Sequence, residues 1–265
     1  MRPLREINRR GRQLAAGYAW RIGWAIGTPI PAHYEDELVE TIKRVRRHTM
    51  TTSPRIAALC DSVEYLVDRR IEGAIVECGV WRGGSMMAAA VTLLRLGVSD
   101  RDLYLFDTFG GMPEPAAEDV DSPYDGYDLH KRWRRNRRED SGNKWNYVAP
   151  ESVRARIEST GYPPDRIHLV QGLVEETIPS AAPDQIALLR LDTDWYESTR
   201  HELRHLYPRL SESGVLIVDD YGHYEGARRA VDEYLVEESE PLLLQRIDYT
   251  GRLAIKPPAG VRSVA

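Results

Sequence analysis

Long apolar runs are missing from this 265-residue chain, and so are clustered cysteines and any strong excess of one charge. The first segment, "MRPLREINRRGRQLAAGYAWRIGWAIG", is broken by Arg21 and falls short of the roughly 20 apolar residues that span a bilayer. It also lacks the clean apolar centre of a secretion signal, so no membrane partner is expected. It reads instead as an amphipathic arm that covers a partner subunit or the active site. Two cysteines, Cys60 and Cys78, neither in a CxxC pair, exclude a disulfide scaffold and a sulfur-based metal site. Two buried thiols in a reducing, cytoplasmic compartment are expected. A formal charge of −5 and a pI near 5.9 give no general attraction to nucleic acid.

What is present supports a sizeable core: 42% of residues are apolar, and the length suits one large domain or two small ones. "GTPIPAH" at 27–33 is a breaker. After it, 35–48 reads as a helix with an acidic start and a basic end, the order a helix dipole favours. "TTSPRIAALCDSVEYLVDRRI" reads as a second helix, with Ser53 as its cap and Pro54 at its first position. From residue 74 short apolar strands alternate with helical segments: "AIVECGV", "DLYLFDTF", "RIHLVQG", "QIALLRLDTD" and "GVLIVDD" are strands, and "LLLQRID" with "RLAIKP" closes the chain as a hairpin. This order predicts an α/β fold with a mostly parallel sheet and an antiparallel carboxy-terminal edge. The division expected is 1–70 for the arm and capping helices and 71–265 for the catalytic domain. Residues 111–147 form a long polar, aromatic insert, read as a lid. Its basic run "KRWRRNRR" at 131–138 reads as a solvated helix face rather than an RNA contact.

Ligands of such sheets bind beyond the carboxyl ends of the strands, and the chemistry-bearing residues fall there. In "VECGVWRGGS" a strand end is followed by glycines and a helix start, which lets backbone approach a ligand. The turn is neither GxGxxG nor a P-loop. Glu77 at the strand end disfavours a pyrophosphate and suits a zwitterion such as the amino-acid part of S-adenosylmethionine. Asp107 is placed to accept hydrogen bonds from a ribose, and Gln171–Gly172 lies where an adenine edge would rest. Asp192 and Asp194 end one strand, Asp219 and Asp220 the next. Four close carboxylates repel, so a cation must offset them or some hold protons. All-oxygen donors suit Mg²⁺ or Mn²⁺ rather than zinc. The competing reading has Asp194 and Asp220 capping the helices that follow.

Together "LDTDWYEST", "LYPRLSESG", "VDDY", "AVDEYL", "VECGVWRGGS" and "FDTFGGMPEP" resemble the macrocin O-methyltransferase (TylF/MycF-like) family, from about residue 35 to 255. The resemblance implies a class I methyltransferase (Rossmann-like) fold and Mg²⁺-assisted methylation of a hydroxyl by S-adenosylmethionine. It implies a glycosylated or phenolic small-molecule acceptor, a deoxysugar on a natural product before a phenol or catechol, in antibiotic biosynthesis. A homodimer or larger homo-oligomer is expected with it. By the same resemblance Asp192, Asp219 and Asp220 match metal positions and Asp194 the general base. Glu77, Gly79, Gly83, Ser85, Asp107 and Gly172 fall to the cofactor. Thr193 departs from the glycine common in relatives, and Trp195 bears on the acceptor pocket. A nucleotide-sugar glycosyltransferase using "DTD" for a metal–diphosphate is the alternative, disfavoured because it leaves the early glycine turn unexplained.

Overall fold

The computed structural model describes residues 29–120, 122, 128–139, 142–238 and 242–258. The expected amino-terminal arm lies outside these residues, as do Tyr124 and Tyr127 of the insert. Helix α1 (Asp36–Val45) carries acids in its first turn and Lys43 and Arg44 in its last. Helix α2 (Ser53–Asp68) follows. Its cap is Thr52, whose hydroxyl accepts from Arg55 N at 3.4 Å, one residue earlier than the sequence suggests. Then come β1 (Ala74–Cys78), α3 (Gly84–Arg95), β2 (Leu103–Asp107), the short α4 (Leu129–Arg135) and α5 (Pro150–Glu158). The chain continues through β3 (Ile167–Gln171), the one-turn α6 (Val174–Thr177), β4 (Ile186–Leu191) and α7 (Tyr196–Leu206). It ends with β5 (Leu210–Val218), α8 (Glu225–Glu237), β6 (Gln245–Arg246) and β7 (Arg252–Ile255).

The strands form one seven-stranded sheet in the order β3-β2-β1-β4-β5-β7-β6. The first five are parallel, and β7 runs antiparallel to β5. The strand expected over 242–248 shrinks to two exposed residues, because its outer edge has no further partner among the described residues. The order reverses between β1 and β4, which leaves a crevice at their carboxyl ends.

Side-chain alternation divides the core. Ile75, Leu103, Leu105, Leu188, Val215 and Ile217 pack toward α1, α2, α3 and α5. Val76, Cys78, Phe106, Leu189, Leu191, Leu216 and Val218 pack toward α6, α7 and α8. The two helices ahead of β1 therefore share the core of the sheet rather than lying on its surface. At the crevice a residue's strand parity decides which helical layer it faces.

Candidate active site

Glu77, Arg190, Asp192 and Asp219 share one parity and meet at the ends of β1, β4 and β5. Arg190 is buried, and its Nη1 donates to Glu77 Oε1 and to Asp192 Oδ2, each at 2.6 Å. Its Nη2 donates to Asp219 Oδ1 at 2.5 Å and to Thr51 Oγ1 at 3.1 Å. Arg55, arriving from α2, pairs with the other oxygen of Asp219 and lies 3.1 Å from Asp248 Oδ2. Burial works against both guanidinium charges, but the carboxylates around them raise their pKa. Two internal cations that the sequence reading missed thus answer part of the carboxylate repulsion. Arg190 could have been found from its spacing: it lies two residues before Asp192, on the same face of an otherwise apolar strand.

The arginines do not neutralise the whole set. Asp192, Asp194 and Asp220 each bring a carboxylate oxygen within 4.8 Å of the others. Asp220 Oδ2 is buried and meets no hydrogen-bond partner. Burial raises the pKa of Asp220 well above the usual carboxylate range, with Asp194 and Asp219 adding to it. Burial does the same to Asp192, despite Arg190. Glu77, fully enclosed, is pushed up to about 8, chiefly by burial and against the pull of Arg190. Neither Asp194 nor Asp220 stands at a cap position: the cap residues of α7 and α8 are Trp195 and Tyr224. The amide of Tyr196 is instead taken by Asp119 of the insert, at 2.8 Å.

Two cavities meet at these carboxylates. The first, about 700 Å³ with its open mouth, is bounded by Gly79, Phe106, Asp107, Gly172, Leu173 and Glu175. The second, about 750 Å³ counted likewise, is bounded by Ser85, Arg132, Asp219, Asp220, His223 and Tyr249. Met50, Trp81, Asn146, Asp192 and Asp194 stand in the walls of both. Gly79, Asp107 and Gly172 thus reach the first cavity and Ser85 the second, while Glu77 and Gly83 line neither. Gly79 has a left-handed φ of +83°, and a Cβ there would lie 1.9 Å from the Asp192 carbonyl oxygen, so only glycine lets the β1 and β4 loops pass. Gly83 serves packing, since a Cβ would meet Val153 of α5 at 3.0 Å. Asp107 holds the turn: it accepts from the amides of Val80 at 2.8 Å, Trp81 at 3.0 Å and Phe109 at 2.7 Å. His223 is buried beside the acids, with Nδ1 3.1 Å from the Tyr249 hydroxyl.

The insert borders both cavities: Gly111, Met112 and Pro113 line the first, Arg132 and Trp145 the second, and Asn146 both. Trp145 meets Trp195 edge-on at 5.9 Å, and Trp195 meets Tyr224 at 5.5 Å. Trp195 Nε1 donates to Pro113 O, and Trp133 Nε1 to Met112 O. Arg132, expected on a solvated face, lies over the Trp145 ring at 4.2 Å and lines the cavity.

A Rossmann-like sheet with a glycine-opened cavity, and an acidic cluster beside it at the switch point, defines a transferase of the S-adenosylmethionine-dependent class. The chain belongs to the Macrocin-O-methyltransferase (TylF) family, whose pattern matches residues 41–254, and it is an S-adenosylmethionine-dependent O-methyltransferase. It is 35% identical over 217 residues to an 8-demethyl-8-(2,3-dimethoxy-alpha-L-rhamnosyl)-tetracenomycin-C 4'-O-methyltransferase of Streptomyces olivaceus, covering 82% of this chain and 78% of that protein. It is 34% identical over 187 residues to the demethyldecarbamoylnovobiocin O-methyltransferase of Streptomyces niveus, covering 71% and 67%. The solved O-methyltransferase NovP superposes with a TM-score of 0.71 at 29% identity, covering 92% of this chain and 98% of that one. Membership decides against the glycosyltransferase alternative. Among the described residues no helix is long and apolar enough to cross a membrane.

Proposed function

We propose that this chain transfers the methyl group of S-adenosylmethionine to a hydroxyl of a deoxysugar carried on a natural product, with Mg²⁺ at the acidic cluster and Asp194 as general base. The observation that carries this is the convergence of Asp192, Asp194 and Asp220 in the region where the two cavities meet. The donors fit a hard divalent cation: all are oxygens, and the unpartnered Asp220 Oδ2 is a ligand atom awaiting a partner. Mg²⁺ supplies, when bound, a charge that lowers the pKa of an acceptor hydroxyl and fixes its oxygen.

Asp192 and Asp220 would hold the cation. Asp219 can join them while keeping both guanidiniums, because each carboxylate oxygen has two lone-pair sites. Arg55 and Arg190 orient these carboxylates from below. Asp194 takes the hydroxyl proton, directly or through one water. The first cavity suits the cofactor, with Gly79 opening the approach and Asp107 fixing the Val80–Trp81 turn. Gly172 and Glu175 border its far side, while Ser85 and Glu77 support the turn from the other. The lid aromatics exclude water from the second cavity, where the acceptor would lie. The sugar hydroxyl is favoured over a phenol by the rhamnosyl acceptor in the name of the Streptomyces olivaceus relative. A cytoplasmic homodimer belongs to the same proposal, and sedimentation velocity checks the dimer.

Co-crystallisation with S-adenosylhomocysteine and Mg²⁺, together with an assay on an L-rhamnosyl aryl glycoside, tests the reading. The expected result is S-adenosylhomocysteine in the first cavity and methylation that stops in EDTA. A cofactor found elsewhere, or turnover indifferent to chelation, overturns it.

A further inference from the structure

The parity that turns Arg190 and Asp192 toward α2 turns Leu191 and Thr193 toward α7. On that side Glu202, in the middle of α7, is completely buried at 0% exposure. Neither of its carboxyl oxygens meets a hydrogen-bond partner, nor does the buried hydroxyl of Thr193. The side chains of Thr193 and Cys78 lie against it, and the Glu175 and Asp192 carboxylates act on it electrostatically. A buried carboxyl without partners costs several kcal/mol. A methionine at this helix position would pack beside Leu203 and Leu206 without that cost. The acid is therefore tolerated at this position only where neighbouring polar groups satisfy it.

Directly above it the backbone is strained. Trp195 N donates to Thr193 O at 2.8 Å across Asp194, whose φ is +69°. A positive-φ γ-turn of this kind is rare, and it persists only where its surroundings hold it. Asp192 N donates to Cys78 O at 2.8 Å and fixes the upstream side. The Thr193 side chain is the handle beneath the turn itself. Burial keeps the Glu202 carboxyl protonated far above its ordinary range. A protonated carboxyl can donate to the Thr193 hydroxyl and accept from the Cys78 thiol, so the three groups are mutually complementary. Buried polar groups in this arrangement are nearly always bonded to one another.

We propose that Glu202 is a positioning residue: from beneath the sheet end its carboxyl group grips the Thr193 hydroxyl, beside Cys78, and fixes the strained turn that presents Asp194. The grip is a property of the chain without ligands, and only its value to catalysis rests on the function proposed above.

Hydrogen exchange at the Trp195 and Asp192 amides of the full apo chain tests it in Glu202→Met, Glu202→Gln and Thr193→Val. Loss of one net hydrogen bond predicts about tenfold faster exchange at Trp195 in Glu202→Met, confined to the 192–195 turn rather than spread along α7. Thr193→Val should match it, the double variant should go no further, and Glu202→Gln should stay near the parent because an amide can still donate. Parent-like exchange in both Glu202→Met and Thr193→Val overturns the proposal. So does a lower Tm with faster exchange along all of α7, which would mark a merely structural residue. Should Glu202→Met not fold, Thr193→Val decides alone. Mn²⁺ and S-adenosylhomocysteine binding, measured on the parent chain, separates the two claims: absence of both would sink the proposed function and leave the exchange result standing.

Discussion

Arg190 Nη1 lies 2.6 Å from Asp192 Oδ2, two residues along the same strand end, and the same nitrogen lies 2.6 Å from Glu77 Oε1. One guanidinium thus ties the end of β1 to the turn after β4, across the line where the strand order reverses. Arg190→Met should cost about 3–5 kcal/mol, because it leaves three buried or half-buried carboxylates facing one another. Arg190→Lys should recover little, since a single ammonium cannot reproduce the fork. Urea denaturation of both variants at pH 7 measures this.

The acids of the site give the apo protein an unusual pH profile. Glu77 has a folded pKa of about 8 against an ordinary 4.5, and Asp192, Asp220 and Glu202 are raised in the same direction. Between those values the folded chain binds more protons than the unfolded one, so stability falls as pH rises from about 4.5 through about 8. Glu77→Gln should flatten part of this slope. Mg²⁺ should raise Tm more at pH 8 than at pH 6, because protons compete for the same oxygens. Thermal melts across pH with and without Mg²⁺ check both statements.

Asp194→Asn keeps the shape of the turn and removes the proposed base. Turnover should fall by about 10²–10⁴-fold while S-adenosylhomocysteine binds as in the parent. Calorimetry and steady-state rates separate the two effects. Undiminished turnover would remove Asp194 from the proton step.

Gly79→Ala places a methyl group 1.9 Å from the Asp192 carbonyl oxygen at a φ of +83°. The backbone conformation alone costs about 1–3 kcal/mol, and the β4 turn must move as well. Cofactor affinity should collapse even if the chain folds. Gly97, also at positive φ but with nothing within 4 Å of a Cβ, is the control: Gly97→Ala should lose stability and keep affinity.

The lid rests on its aromatic contacts. Arg132→Ala removes the cation over Trp145, worth about 0.5–2 kcal/mol. It should raise the acceptor KM and leave cofactor affinity alone. Equal changes in both would mean that Arg132 also acts on the first cavity, through the insert residues Met112 and Pro113 that line it.

Short apolar runs made β1 to β5 readable, and acids at the strand ends marked the site although Glu77 and Asp219 prove to be buried there. The spacing marks Asp107 as a ribose acceptor, and the structure adds three backbone amides on a carboxylate that also lines the first cavity. Spacing cannot say whether a carboxylate faces a ligand or its own loop. Arg55 was invisible for a different reason: its partners, Asp219 and Asp248, lie 164 and 193 positions away, and only the packing of α2 against the sheet brings them together. Glu202 sits among the charged residues of its helix. Its burial follows from where α7 crosses β4, which periodicity does not report. Trp133 and Trp145 pointed to a folded insert, and the structure packs both.

The capping of α7 by Asp119 has a further consequence. The insert supplies the first hydrogen bond of the helix whose interior carries Glu202 and whose leading edge follows Asp194. Peeling the insert away would strip that bond, worth about 0.5–2 kcal/mol, from the element on which the proposed base depends. The insert and the Asp194 turn are therefore mechanically one part. The acceptor-facing region cannot be exchanged for another simply by grafting a new loop, unless the graft brings its own acid to the Tyr196 amide.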